Sequence, residues 1–162
     1  FGAMFAPRPF DVAREMVRVT KPGGRIVTGA WIPGDPTLIA QVLKISAAYT
    51  PPPPEGFVSP GTWGVEANAR ERFTAAGVPE EAVTCERATY VFRHPGSPAC
   101  FLDIFKTWYG PTMNAFAAAS KAGQADRLLA ELTDLFEAQN QGGPIETVIP
   151  ATYLKVTVQK AA

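Results

Sequence analysis

The sequence predicts an α/β fold, with helices crossing between strands of one sheet. Three observations lead there. Residues 12–31 read as one helix, one tight turn and one buried strand. Two later stretches, 83–93 and 152–159, have strand character. The chain opens Phe1-Gly2-Ala3-Met4-Phe5, an apolar run that reads as the end of a further buried strand, cut in mid-element.

The elements follow in order. Over residues 7–20, Phe10, Ala13, Met16 and Val17 share one helical face, while Arg14 and Arg18 point outward. Lys21-Pro22-Gly23-Gly24 stops this helix, because proline disfavours helical geometry before it and glycine accepts positive φ. Residues 25–31 then form a strand whose adjacent Ile26 and Val27 suggest burial on both faces. Asp35-Pro36 opens the next helix, with Leu38, Ile39, Val42, Leu43 and Ile45 as its apolar stripe. Pro51 to Pro54 is stiff and extended. Val65, Ala69 and Phe73 repeat at helical spacing before a capping Gly77.

After the strand at 83–93, residues 98–140 are mostly helical. Phe101, Ile104, Phe105 and Trp108 make one amphipathic face, and Leu128, Leu132, Leu135 and Phe136 another. Gly110-Pro111 separates two helices, and Gln141-Gly142-Gly143-Pro144 ends the block, which is too long for a simple connection. The closing strand sets Leu154, Val156 and Val158 against Tyr153 and Thr157. No internal repeat is present.

A length of 162 residues suits one domain, and 46% apolar content allows a sizeable core. Fifteen Lys and Arg balance fifteen Asp and Glu, which disfavours a basic nucleic-acid groove. No apolar run approaches the roughly 18 residues of a membrane span. Two cysteines make no disulfide framework and fit a reducing cytoplasm.

Reactive chemistry is sparse. There is no Gly-x-Ser-x-Gly elbow and no P-loop. His94, the one histidine, follows a strand and is either a general base or a loop residue. Cys85 and Cys100 read as small buried hydrophobes. Gly23-Gly24 follows a helix and opens a strand, the reverse of a phosphate cradle. The aromatics offer more. Trp31 stands at the carboxyl end of a strand, Trp63 follows the proline-rich loop, and Trp108-Tyr109 closes a helix. Either these line a cleft for an apolar or aromatic substrate, or each is core packing.

The opening Phe1-Gly2-Ala3-Met4-Phe5-Ala6 and the run Glu15-Met16-Val17-Arg18-Val19-Thr20-Lys21-Pro22-Gly23-Gly24-Arg25-Ile26-Val27 together resemble the class I S-adenosylmethionine-dependent methyltransferases. Thr20 stands where that pattern usually has Leu. The order of Trp31, Pro33 and Gly34, then Pro60-Gly61-Thr62-Trp63-Gly64, Tyr109-Gly110-Pro111-Thr112 and Tyr153-Leu154 extends the likeness along the chain.

The resemblance implies a seven-stranded Rossmann-like sheet in order 3-2-1-4-5-7-6, with strand 7 antiparallel. This chain would be its C-terminal half. Residues 1–162 would carry strands 4-5-7-6, with strand 5 at 25–31, strand 6 at 83–93 and strand 7 at 151–159. A helical substrate-side insertion would occupy about 98–140, between strands 6 and 7. Phe1, Gly2, Met4 and Phe5 would lie by S-adenosylmethionine, and Trp31, Trp63, Trp108 and Tyr109 by a small-molecule substrate.

The resemblance further implies a parent enzyme that transfers a methyl group to a small molecule. Neutral charge, the lack of a long apolar run, and one histidine with two separated cysteines argue against nucleic-acid, membrane and metal partners, and the cysteine count fits a cytoplasmic protein. The family's glycine-rich loop lies outside this chain, so the piece alone would be inactive. Its open sheet edge would pair with a missing N-terminal half or a second copy. The alternatives are a non-enzymatic binding or assembly module on the same half-fold, or a nicotinamide oxidoreductase.

Overall fold

A computed structural model describes residues 1–162. Six α-helices and three strands follow one another: α1 (Pro9–Val19), β1 (Arg25–Trp31), α2 (Leu38–Tyr49), α3 (Glu66–Ala75), β2 (Val83–His94), α4 (Pro98–Trp108), α5 (Gly110–Lys121), α6 (Ala125–Gln139) and β3 (Thr147–Gln159). The strands form one three-stranded antiparallel sheet in order β1-β3-β2. The chain divides into two compact units, one of residues 1–33, 54–88 and 153–162, the other of residues 34–53 and 89–152.

In the first unit, β1 runs antiparallel to the end of β3, from Arg25 opposite Gln159 to Trp31 opposite Tyr153. Strand periodicity sends Ile26 and Ala30 to the same face as Leu154, Val156 and Val158. That face meets Ala13, Ala69, Phe73, Val78 and Val83 in one buried core. The turn after α1 is tied down from the chain's far end. Gly23, at φ +69°, donates its N–H to the Ala161 carbonyl at 2.9 Å. Lys160 Nζ donates to the carbonyls of Val17 and Thr20 at 2.7 and 2.6 Å, placing a cation at the carboxyl end of α1.

The second unit packs α2, α4, α5 and α6 around Leu38, Val42, Leu102, Phe105, Leu128, Leu132 and Phe136. Phe136 is fully buried, with ring centroids 5.8 Å from Phe101 and 5.2 Å from Phe105. Asp35 serves the start of α2 one step early: its carboxylate accepts the Thr37 N–H at 2.9 Å, and the helix begins at Leu38. The loop before β3 is organised by Asn140, whose Oδ1 accepts the N–H groups of Gly142 and Val148 at 3.0 and 2.8 Å.

Several expectations are corrected. The Rossmann-like half-sheet of strands 4-5-7-6 is replaced by three antiparallel strands, with no parallel core. Residues 1–5 form no strand. Ala3–Phe5 is a single 3-10 turn, closed by hydrogen bonds from Phe5 N to Gly2 O and Ala6 N to Ala3 O. The run is apolar without alternating, and Pro7 and Pro9 follow it, so nothing there sustains a strand ladder.

Pairing of a cut strand with a missing N-terminal half, or with a second copy, therefore loses its premise. β1 is not buried on both faces, since Val27 is 50% exposed while Ile26 is buried. On α4, Phe101, Leu102 and Phe105 face the core, whereas Ile104 and Trp108 are exposed. The block at 98–140 holds α4, α5 and α6. No helix is long and apolar enough to cross a membrane.

Candidate functional site

In the first unit three aromatic side chains meet at the end of β1. Trp31 and Tyr153 stand directly opposite each other across β1 and β3, with ring centroids 6.1 Å apart and edge to face. Phe1 completes the group, 4.6 Å from Trp31 and 5.1 Å from Tyr153. Its ring lies on Gly29, where an added Cβ would stand 2.9 Å from Phe1 Cε2. Glycine at that position opens the seat for the ring. Phe1 keeps 49% of its surface exposed.

The far end of β1 is held by a 3-10 turn, Pro60–Gly64, capped by Ser59, whose hydroxyl accepts the Gly61 N–H. Gly64 comes so close that an added Cβ would stand 2.0 Å from the Trp31 carbonyl oxygen. Trp63 is buried beside Phe73, with centroids 6.2 Å apart. The Arg72 guanidinium lies over its ring at 4.6 Å. Arg72 is 4% exposed, and Nη2 donates to Thr62 Oγ1 at 2.7 Å, but Nη1 has no partner. Desolvation lowers the pKa of this guanidinium. The Glu71 carboxylate pulls the other way, but desolvation outweighs it, so the charge is expensive to hold.

The eight residues expected at a site fall as follows. Phe1 and Trp31 come together, and Tyr153 joins them. Met4 is buried in the core of the first unit, while Gly2 and Phe5 are exposed. Trp63 is interior, beneath the turn it belongs to. Trp108 and Tyr109 belong to the second unit. Trp108 is 79% exposed, and Tyr109 packs edge to face on Phe105 at 5.2 Å. Burial pushes the Tyr109 phenol up to about 12.

The S-adenosylmethionine site is corrected with the fold. Phe1, Gly2, Met4 and Phe5 make a turn whose Met4 enters the core and whose Phe1 covers Gly29, with no strand-loop-helix cradle for a nucleotide. The methyltransferase reading, and the module built on the same half-fold, fall with it. So does a methyl-accepting small molecule as partner.

Reasoning from sequence missed Arg72, whose signal was a charged residue three positions after Ala69 on a buried stripe. It missed the pairing of Tyr153 with Trp31, since register is non-local. The cysteines are also corrected. Cys100 is exposed, beside the Ser97 hydroxyl that caps α4, and Cys85 is half-buried. Burial raises the Cys85 pKa, opposed by Arg70 and aided by Glu66. His94 stacks on Phe101 at 5.6 Å and lines a surface cavity of about 420 Å³ with Arg93, Pro95, Ile145 and Glu146. No group of His, Cys, Asp and Glu is placed to hold a metal ion.

A second cavity of about 420 Å³ lies in the second unit, lined by Leu43, Ser46, Ala47, Thr50 and Pro51 of α2 and its exit, and by Pro111 and Asn114 of α5. Ser46 is 3% exposed, and its hydroxyl has no hydrogen-bond partner. The Thr112 hydroxyl, next to lining Pro111, is fully buried and equally unpartnered. Each such group costs about 1–3 kcal/mol while unsatisfied.

Comparison with known proteins finds relatives but no family model that matches. The chain is similar to Uncharacterized protein Rv1403c of Mycobacterium tuberculosis, at 30% identity over 135 residues, covering 83% of this chain and 47% of that protein. Uncharacterized protein Mb1438c of Mycobacterium bovis matches with the same identity and coverage. Uncharacterized protein Rv1405c of Mycobacterium tuberculosis is 28% identical over 166 residues, covering 98% of this chain and 55% of its own length. The chain therefore spans about half the length of the curated relatives it matches.

Proposed function

We propose that the first unit is a recognition module for a planar apolar group of a small molecule, held by Phe1, Trp31 and Tyr153. The observation that carries this reading is a half-exposed Phe1 ring seated on Gly29 in contact with both other rings. Each well-placed ring contact adds about 0.5–1.5 kcal/mol beyond burial. Cross-strand pairing in the sheet holds Trp31 and Tyr153 in place before any ligand arrives, so little ordering is needed on binding. Trp63 and Arg72 support this surface from behind by fixing the turn that clasps the Trp31 carbonyl. Trp108, with Tyr109 beside it, offers exposed aromatic surface in the second unit. Free thiols at Cys85 and Cys100 suit a reducing compartment such as the cytoplasm.

The test is a titration of the isotope-labelled chain with indole, followed by NMR at the tryptophan ring N–H signals. Each signal is assigned from its loss in Trp31→Phe, Trp63→Phe or Trp108→Phe. Saturable movement of the Trp31 signal, abolished in Tyr153→Ala, is expected. Equal, non-saturating movement of all three signals would end the proposal.

A further inference from the structure

Between α2 and the 3-10 turn at Pro60–Gly64 the chain runs Pro51-Pro52-Pro53-Pro54-Glu55-Gly56-Phe57-Val58. Every one of these residues is exposed. Single apolar residues at a surface need no explanation, but a contiguous exposed apolar stretch marks a place of interaction. Each proline ring fixes its φ near about −65° and holds the residue before it out of helical geometry. Thr50 enters the run already extended, at φ −101° and ψ 150°. The four prolines therefore stand as a preformed polyproline II ridge with no N–H to donate. Gly56, at φ +78°, then turns the chain, and the Phe57 N–H donates to the Pro54 carbonyl at 3.1 Å. That tight turn keeps the exposed Phe57 close to the last proline.

We infer that residues 51–57 are a docking segment for a partner protein whose groove is lined by aromatic side chains. Such grooves seat proline rings between their flat faces, and their own N–H and O–H groups donate to the carbonyls of the ridge. The ridge is rigid before it binds, so little freedom is lost on association. Phe57 is a further anchor and gives the ridge a direction. Glu55 is the one charged residue of the segment, so nothing there attracts a nucleic acid or an anionic membrane surface. The inference does not rest on the cluster of Phe1, Trp31 and Tyr153. Prolines also build stiff spacers, and the chain passes from the second unit to the first at Pro53–Pro54. A spacer has no use for an exposed Phe57, and this separates the two roles.

The probes are three purified domains with aromatic grooves for proline-rich segments, an SH3, a WW and an EVH1 domain. Each is titrated into the isotope-labelled chain and read by NMR at the amide signals of Thr50, Glu55, Gly56, Phe57 and Val58, since prolines give none. At least one domain is expected to move these signals saturably and leave the helices and the sheet undisturbed. Phe57→Ala keeps the proline run intact and should weaken that binding roughly tenfold, the loss of one well-seated anchor. The double change Pro52→Ala with Pro53→Ala should abolish it. All three positions are exposed, so the variants should fold as the parent does, and unchanged amide signals in α6 and β3 check this. The inference is overturned if no domain moves the segment's signals saturably, if the movement lies elsewhere in the chain, or if either variant binds as tightly as the parent.

Discussion

The ring of Phe1 lies on the bare Cα of Gly29, so that a methyl group there would stand 2.9 Å from Phe1 Cε2 and 3.3 Å from Tyr153 Cδ2. Gly64 shows a closer approach at the same strand. Its added Cβ would stand 2.0 Å from the Trp31 carbonyl oxygen and 2.8 Å from the Trp31 carbonyl carbon, which are backbone atoms. The two glycines therefore separate a movable neighbour from an immovable one. Gly29→Ala should lift the Phe1 ring, raise the accessibility of Trp31 to a fluorescence quencher, and cost no more than about 1 kcal/mol in denaturant unfolding. Gly64→Ala should cost at least about 3 kcal/mol, because strand and turn must part. Equal losses at the two positions would show that the Phe1 seat is as rigid as the clasp.

Arg72 holds a covered positive charge with one guanidinium nitrogen unpaired. Replacement of buried ionic groups by apolar ones of similar volume is often neutral or stabilising. Arg72→Met should leave unfolding stability unchanged or raise it by up to about 2 kcal/mol. Chemical denaturation of the two chains side by side checks this. A clear loss would mean that the contact over Trp63 and the bond to Thr62 outweigh the desolvation of the charge.

The two thiols should react in order. Cys100 is exposed, whereas Cys85 is half-buried and its pKa is raised, chiefly by desolvation. A chromogenic disulfide reagent at neutral pH should give one fast phase and one slow phase. Cys100→Ser should remove the fast phase alone. A fast phase that survives this change would place Cys85 in the more reactive setting.

Tyr109 carries a pH signature. Burial raises its folded-state value from the ordinary 10.0 to about 12. Below pH 10 the phenol is neutral in both states and costs nothing. Between pH 10 and about 12 the unfolded chain ionises and the folded one does not, so stability falls as pH rises through that window. Tyr109→Phe should flatten this part of the curve, since the phenol is the only group removed. The measurement is unfolding stability against pH, beside ultraviolet titration of the tyrosines. An unchanged slope in the variant would remove Tyr109 as its source.

Much of the local structure was legible from residue order alone. The turn at Lys21 to Gly24, the strand at 25–31, the cap at Gly77 and the helical stripe of Leu128, Leu132 and Phe136 rest on neighbours within a few positions. Such features need only backbone sterics and periodicity. Ranges and faces drifted where two periodicities compete. Ile104 and Trp108 continue the α4 stripe on paper, but Leu102 takes the inward position and both turn out to solvent.

What the sequence by itself determined was the run of helices and strands and the apolar faces that make a core possible. The sheet's antiparallel order, the Trp31–Tyr153 pairing, the seat of Phe1 on Gly29 and the unpaired groups of Arg72, Ser46 and Thr112 were decided only in the tertiary structure. The reason is range. Strand partners and covered polar atoms depend on residues up to more than a hundred positions away, and no local preference of φ, ψ or hydropathy encodes which distant group will arrive.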